Sequence, residues 1–262
     1  MSTLPPPPET SAGVRRLIVA GAEVAGGAVG GALGFFAAGP LGAAALGAAS
    51  AAAAAALKHI GEEASERLLG PREQVRVGGV LALIAAEVSA RSDAGEPLRT
   101  DGFFQGSGRN AAEEIAEAVL LKAQKEVEEK KLQYLAHLYA TIAFDSSISA
   151  PLAHQLIKAA EQLSYRQLCL IRLGAVKQLL PLRTTDYRGH GSFSKELYQV
   201  LFELHDLYNR GFVAYGGTAA LGPSDAVPSQ ITPQGIGADL HNAMRLAEIP
   251  WTEIQALVQV LR

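Results

Sequence analysis

The 262-residue sequence is poor in charge, aromatic residues and cysteine: 19% charged, 6% aromatic, one Cys and two Met. Ordinary globular chains carry about 25% charged residues. A single cysteine, Cys169, excludes an intrachain disulfide framework and favours a reducing compartment. A formal net charge of −3 leaves no general basic excess, which argues against a dedicated nucleic-acid binder. No G-X-Y repeat and no sustained heptad runs through the chain, so collagen and coiled coil are excluded. What replaces the missing residues is a local excess of small ones. Leu17–Leu57 spans 41 residues, 27 of them Ala or Gly, and Glu23 is its only charge.

The chain opens with a Pro-rich stretch, MSTLPPPPETSAG, so residues 1–16 are expected to be a solvated tail. From Val24 to Leu57 there are 34 residues without a charge. One helix of that length would measure about 50 Å against a hydrocarbon core of about 30 Å. Gly39-Pro40 supplies a break, because proline lacks an N–H and disfavours helix just before it. The expectation is therefore a hairpin of two apolar helices, Leu17–Ala38 and Leu41–Leu57, within a segment 17–61.

Gly26, Gly30 and Gly34 stand four apart, with Gly27 and Gly31 on the adjoining row. Ala43, Gly47, Ala51 and Ala55 repeat the spacing in the second half. Such faces let two backbones approach closely, and in lipid they drive helix association. Arg15 and Arg16 precede the hairpin and Lys58 follows it, while the turn is uncharged. The positive-inside tendency then keeps both ends cytoplasmic. Three readings of this element stand side by side: membrane insertion, constitutive or on release; an Ala-rich core hairpin of a soluble protein; and a signal peptide. Glu23 and the second apolar stretch weigh against the last.

Residues 62–163 read as a helical domain. Val77–Ala86 is too short to span a bilayer and reads as a buried helix. The Gly- and Asp-rich stretch 93–109 reads as a loop anchored by Phe103-Phe104. Asn110 and Glu113 form a capping-box pattern, opening a long helix whose apolar stripe runs to about Phe144. Within it Glu126 and Lys130 make an i,i+4 pair, and KEVEEKK reads as a solvated face. Ser149 with Pro151 opens the next helix, burying Leu152, Leu156, Ala160 and Leu163.

In 164–262, Ser164 and Gln167 give a second capping box, and Cys169 sits in an apolar run as a small buried hydrophobe. Ser194 opens a helix that Gly211 stops; FVAY and SQI read as strands, and Thr232-Pro233 as the cap and first residue of another helix. The terminal helix from Pro250 presents Trp251, Ile254, Leu257, Val258 and Leu261 on one side, with Trp251 a candidate partner contact.

This order, with Leu204, Leu207, Gly211, Val213, Ile231, Thr232, Gly235 and Leu240, resembles the MarR-like winged-helix proteins over about 165–247. The resemblance implies a winged-helix-like module, although the usual short second helix has no counterpart in 181–193. DNA reading needs cationic contacts. From 182 to 262 the chain has six Lys/Arg and eight Asp/Glu, so protein interaction is the expectation. The strings TDGFF, EEKKLQYLAHLYATIAFD and LSYRQLCL also resemble a bacterial family of uncharacterised function, which implies no activity.

His59, His137, His154, His190, His205 and His241 make no metal-ligand spacing, and GSG at 106–108 and GHGS at 189–192 are not nucleophile elbows. His205-Asp206 and Asp239 with His241 read as solvated surface. No cofactor and no catalysis are expected. The fold class expected is mainly α, a helical bundle with an N-terminal small-residue hairpin and a C-terminal winged-helix-like module. The function expected is that of a non-enzymatic bacterial inner-membrane protein. Its hairpin inserts or oligomerises through the glycine face, under control of the soluble part. That layout is similar to small bacterial antiphage effectors that disrupt membranes. Membrane lipid, a second copy of the chain and a protein partner are the expected contacts. The alternative is a soluble regulator or adaptor with the hairpin as core, with a DNA-binding transcription factor as the less favoured form of it.

Overall fold

A computed structural model of the chain describes residues 71–105, 109–189, 191–216 and 219–262. The protein is mainly helical, and the chain divides into two compact units, Met1–Ile157 and Lys158–Arg262. The expected hairpin, with Gly26, Gly27, Gly30, Gly31, Gly34, Gly39, Pro40 and Gly47 and its flanks Arg15, Arg16 and Lys58, lies outside the described residues. So does His190. Among the described residues no helix is long and apolar enough to cross a membrane.

The first unit is built on α1 (Pro71–Asp93), α2 (Ala111–Lys125) and α3 (Leu132–Phe144), with α1 packed on both others. Val80, Ile84, Ile115, Val119, Leu135 and Ile142 form its apolar interior. The Asn110–Glu113 capping box is present, satisfying helix-end N–H groups on both sides of the cap. The loop before it is held by Arg99, whose Nη1 donates to the carbonyls of Ile142 (3.1 Å) and Ile148 (2.9 Å). Its Nε and Nη2 grip Asp101 at 2.8 and 2.6 Å, and the guanidinium lies 4.4 Å from the centre of the buried Phe103 ring. That arrangement uses the guanidinium's planar fork, which a lysine cannot reproduce.

The stripe expected as one helix to Phe144 is two helices. The chain turns extended at Glu126 and passes a 3-10 turn, Glu129–Lys131, before α3 begins. Glu126 pairs with Lys131, Oε2 to Nζ at 2.5 Å, and the Lys131 side chain is 2% exposed. A buried ammonium requires its counter-ion, and a continuous helix places residues five apart off a common face. KEVEEKK is therefore a joint between helices whose Lys125, Val127 and Lys130 are exposed while Lys131 is buried.

Helix α4 (Ala150–Gln162) buries Leu156 and Ala160, with Leu152 half-buried; the division between units falls within it. The second unit contains α5 (Tyr165–Ala175), α6 (Lys195–Asn209), α7 (Ile236–Ala243) and α8 (Trp251–Val260). Between α6 and α7 lies an antiparallel pair, β1 (Val213–Tyr215) and β2 (Ile231–Pro233), registered Val213 to Pro233 and Tyr215 to Ile231. The second strand thus sits two residues beyond SQI, and Thr232-Pro233 belong to it instead of opening a helix. Gly235, at φ 48°, caps α7.

Two glycines set how closely these elements meet. A Cβ on Gly174 of α5 would stand 2.9 Å from Ile231 Cγ2, and one on Gly237 of α7 would stand 2.0 Å from the Phe212 carbonyl oxygen. The short ribbon is clasped at backbone distance between two helices. Cys169 is buried, as expected of a small hydrophobe.

Candidate interaction surface

Helix α6 begins where Ser194 Oγ accepts a bond from Leu197 N at 3.1 Å, and ends at Gly211, φ 74°. Val200, Leu201, Leu204 and Leu207 are buried on one side. The other side carries two large exposed side chains, Tyr198 (53% exposed) and Phe202 (57%), one helical turn apart. Lys195, Tyr198, Phe202, Asp206 and Asn209 follow at spacings of three and four, so they form one continuous stripe along the helix.

Two acids, Glu203 beside this stripe and Asp206 on it, are engaged inside the unit. Glu203 takes a two-pronged bond from Arg166, at 2.7 and 2.9 Å. Asp206 accepts from Gln167 Nε2 at 2.8 Å and Arg210 Nη1 at 3.4 Å, both on Oδ2. Lys195 has no ion-pair partner among the described residues, though as the first residue of the helix it stands at the positive end of the peptide dipoles.

At the far end of α6 the rings stack. His205 lies over Tyr208 (centroids 6.3 Å, 18° apart) and Tyr208 over Tyr215 (4.8 Å, 8°). His205 is therefore half-buried rather than solvated, and its Nδ1 has no hydrogen-bond partner among the described residues. Burial pushes the Tyr215 phenol well above its ordinary range. The loop between the strands is tied down where Ala220 N donates to the Tyr208 hydroxyl (3.2 Å) and Asp225 Oδ2 accepts from Leu221 N and Gly222 N. Leu221 projects from it, 92% exposed.

Trp251, the candidate partner contact, is 40% exposed, with the Arg172 guanidinium 5.9 Å from its ring. Ile254, Leu257, Val258 and Leu261 are buried beside it. His241 Nδ1 lies 3.3 Å from Asn242 Oδ1, and Asp239 is exposed. No group of three His, Cys, Asp or Glu among the described residues is placed to hold a metal ion.

The α6 stripe is absent from the sequence reading, which counts apolar residues in a helix as core. The usable signal is angular: Tyr198 and Phe202 fall well over 90° around the helix from the buried set.

No family model matches the chain, and neither does any curated protein or solved structure.

Proposed function

We propose that the protein is a non-enzymatic membrane-associated protein: the 17–57 segment inserts or oligomerises in the bacterial inner membrane, and the carboxy-terminal unit supplies a protein-interaction face that controls it. The observation that carries this reading is the exposed Tyr198–Phe202 pair on a helix whose Glu203 and Asp206 are bonded within the unit. Aromatic side chains presented this way are characteristic of protein contacts, where they bring large area with few torsions to immobilise. A DNA-reading helix would offer guanidinium and ammonium groups instead. The membrane half of the reading rests on the 34 uncharged residues of 24–57 with Arg15, Arg16 and Lys58 at their flanks.

Flotation of the full chain with phosphatidylethanolamine–phosphatidylglycerol vesicles, paired with dye release, tests it. The wild-type chain floats and releases dye, and Gly30→Leu abolishes release while the circular dichroism of the folded part is unchanged. A chain that stays at the bottom of the gradient and never releases dye refutes the membrane half. That outcome leaves a soluble adaptor, a reading favoured by the weak insertion tendency of Ala and Gly.

A further inference from the structure

The α6 stripe has opposite charges at its two ends, each in an unfavourable place. Lys195 sits at the helix N-terminus, where peptide dipoles disfavour a cation, and Asp206 lies in the last turn, where they disfavour an anion and where Gln167 and Arg210 engage its Oδ2. The Oδ1 atom of Asp206 takes no hydrogen bond among the described residues, since both its contacts fall on Oδ2. Tyr198 and Phe202 occupy the space between the charges.

We propose that this stripe binds the same stripe of a second copy of the chain, with the two α6 helices antiparallel. The proposal deepens the interaction half of the function above by naming the occupant. Antiparallel pairing about a two-fold axis level with Val200 and Leu201 places Lys195 of each copy opposite Asp206 of the other. It interleaves the Tyr198 and Phe202 rings across the axis. It also brings each helix N-terminus against the other's C-terminus, so charges and dipoles are relieved together. One patch supplies both halves of the contact, as a two-fold interface requires. An unrelated partner would need only the aromatic pair, whereas a second copy accounts for the charge at each end as well.

A 15-residue helix is about 22 Å long. One such face buries less than the roughly 1,200 Å² of a stable interface, so the association is weak and rises with concentration or when membrane attachment raises the local concentration.

Sedimentation equilibrium of the full chain in detergent, over a range of concentrations, tests the pairing. Phe202→Ser abolishes the concentration-dependent dimer. Lys195→Glu weakens it about tenfold, because both symmetry-related contacts become repulsive. Adding Asp206→Lys to Lys195→Glu restores it, and a restoration shows that both variants fold. Gly30→Leu separates the two assemblies, since it acts on the 17–57 segment alone. If self-association is lost with Gly30→Leu but untouched by Phe202→Ser and Lys195→Glu, this pairing is wrong while the membrane reading survives. If the charge-reversed pair fails to restore a dimer although its circular dichroism is native, the antiparallel register is overturned. A chain monomeric at every concentration overturns the pairing outright.

Discussion

Gly237→Ala is expected to destabilise the Lys158–Arg262 unit sharply, although alanine is normally the better helix residue. The new methyl carbon would stand 2.0 Å from the Phe212 carbonyl oxygen, 2.7 Å from its carbon and 2.9 Å from its Cα. All three are backbone atoms, so no rotamer change relieves the overlap. Phe212 is also held from both sides: its N donates to Leu207 O at 2.9 Å, and its carbonyl accepts from Gln234 N at 2.9 Å. Moving it apart from α7 strains the junction of α6, β1 and α7 at once. Overpacking of a well-filled interior costs about 1–3 kcal/mol, and an immovable neighbour places this case at about 3. The gain in helix propensity from Gly to Ala offsets about 1 kcal/mol, leaving a net loss of about 2. For a unit of this size, that lowers Tm by about 8–16 °C. Differential scanning calorimetry of the full chain measures it. The control is Gly78→Ala in α1, where a Cβ meets nothing within 4 Å and propensity alone operates. It should raise stability by about 0.5–1 kcal/mol. If Gly237→Ala melts with or above the wild type, the close approach of α7 to Phe212 is not as described.

Lys131→Met removes the buried partner of Glu126 and should cost about 3–5 kcal/mol in chemical denaturation; Lys130→Met, one residue away and exposed, should cost far less. Acid should loosen the 94–110 loop. The Arg99 guanidinium holds the Asp101 carboxyl below its ordinary value, so the bond's contribution is complete above about pH 4 and disappears as pH falls through the depressed value. Hydrogen exchange at Arg99 N, bonded to Ala143 O at 3.2 Å, reports this; protection that rises on acidification contradicts it. Cys169 should resist thiol reagents in the native chain and react at once in denaturant, and rapid native labelling would place it at the surface instead.

The helix starts were legible because they depend on local chemistry. Asn110 with Glu113, Ser164 with Gln167, and Ser194 each cap the helix their spacing announces. The joint at Glu126 was not legible. Apolar residues continue on its two sides, and Lys131, at the joint, reads as solvent-facing until its burial is seen. The start of α7 was misplaced for a similar reason. Thr232-Pro233 is a sound helix-opening dipeptide, but here Pro233 lies at the end of a two-stranded ribbon, where a missing N–H is tolerated. The apolar run Val77–Ala86 marked a buried helix in α1, whereas Tyr198 and Phe202 stayed concealed because hydrophobicity alone does not report direction. Trp251 was singled out from sequence, and the structure gives it an internal neighbour in Arg172.

Trp251 has a practical consequence of its own. It is the one tryptophan of the chain, and it lies in the second unit. Excitation at the red edge of indole absorption therefore reads Lys158–Arg262 and is blind to α1, α2 and α3. Tyr134 and Tyr139, buried in the first unit, answer only to ultraviolet light that also excites the tyrosines elsewhere. Light emission at two wavelengths thus resolves the order in which the two units lose their structure, with no label added.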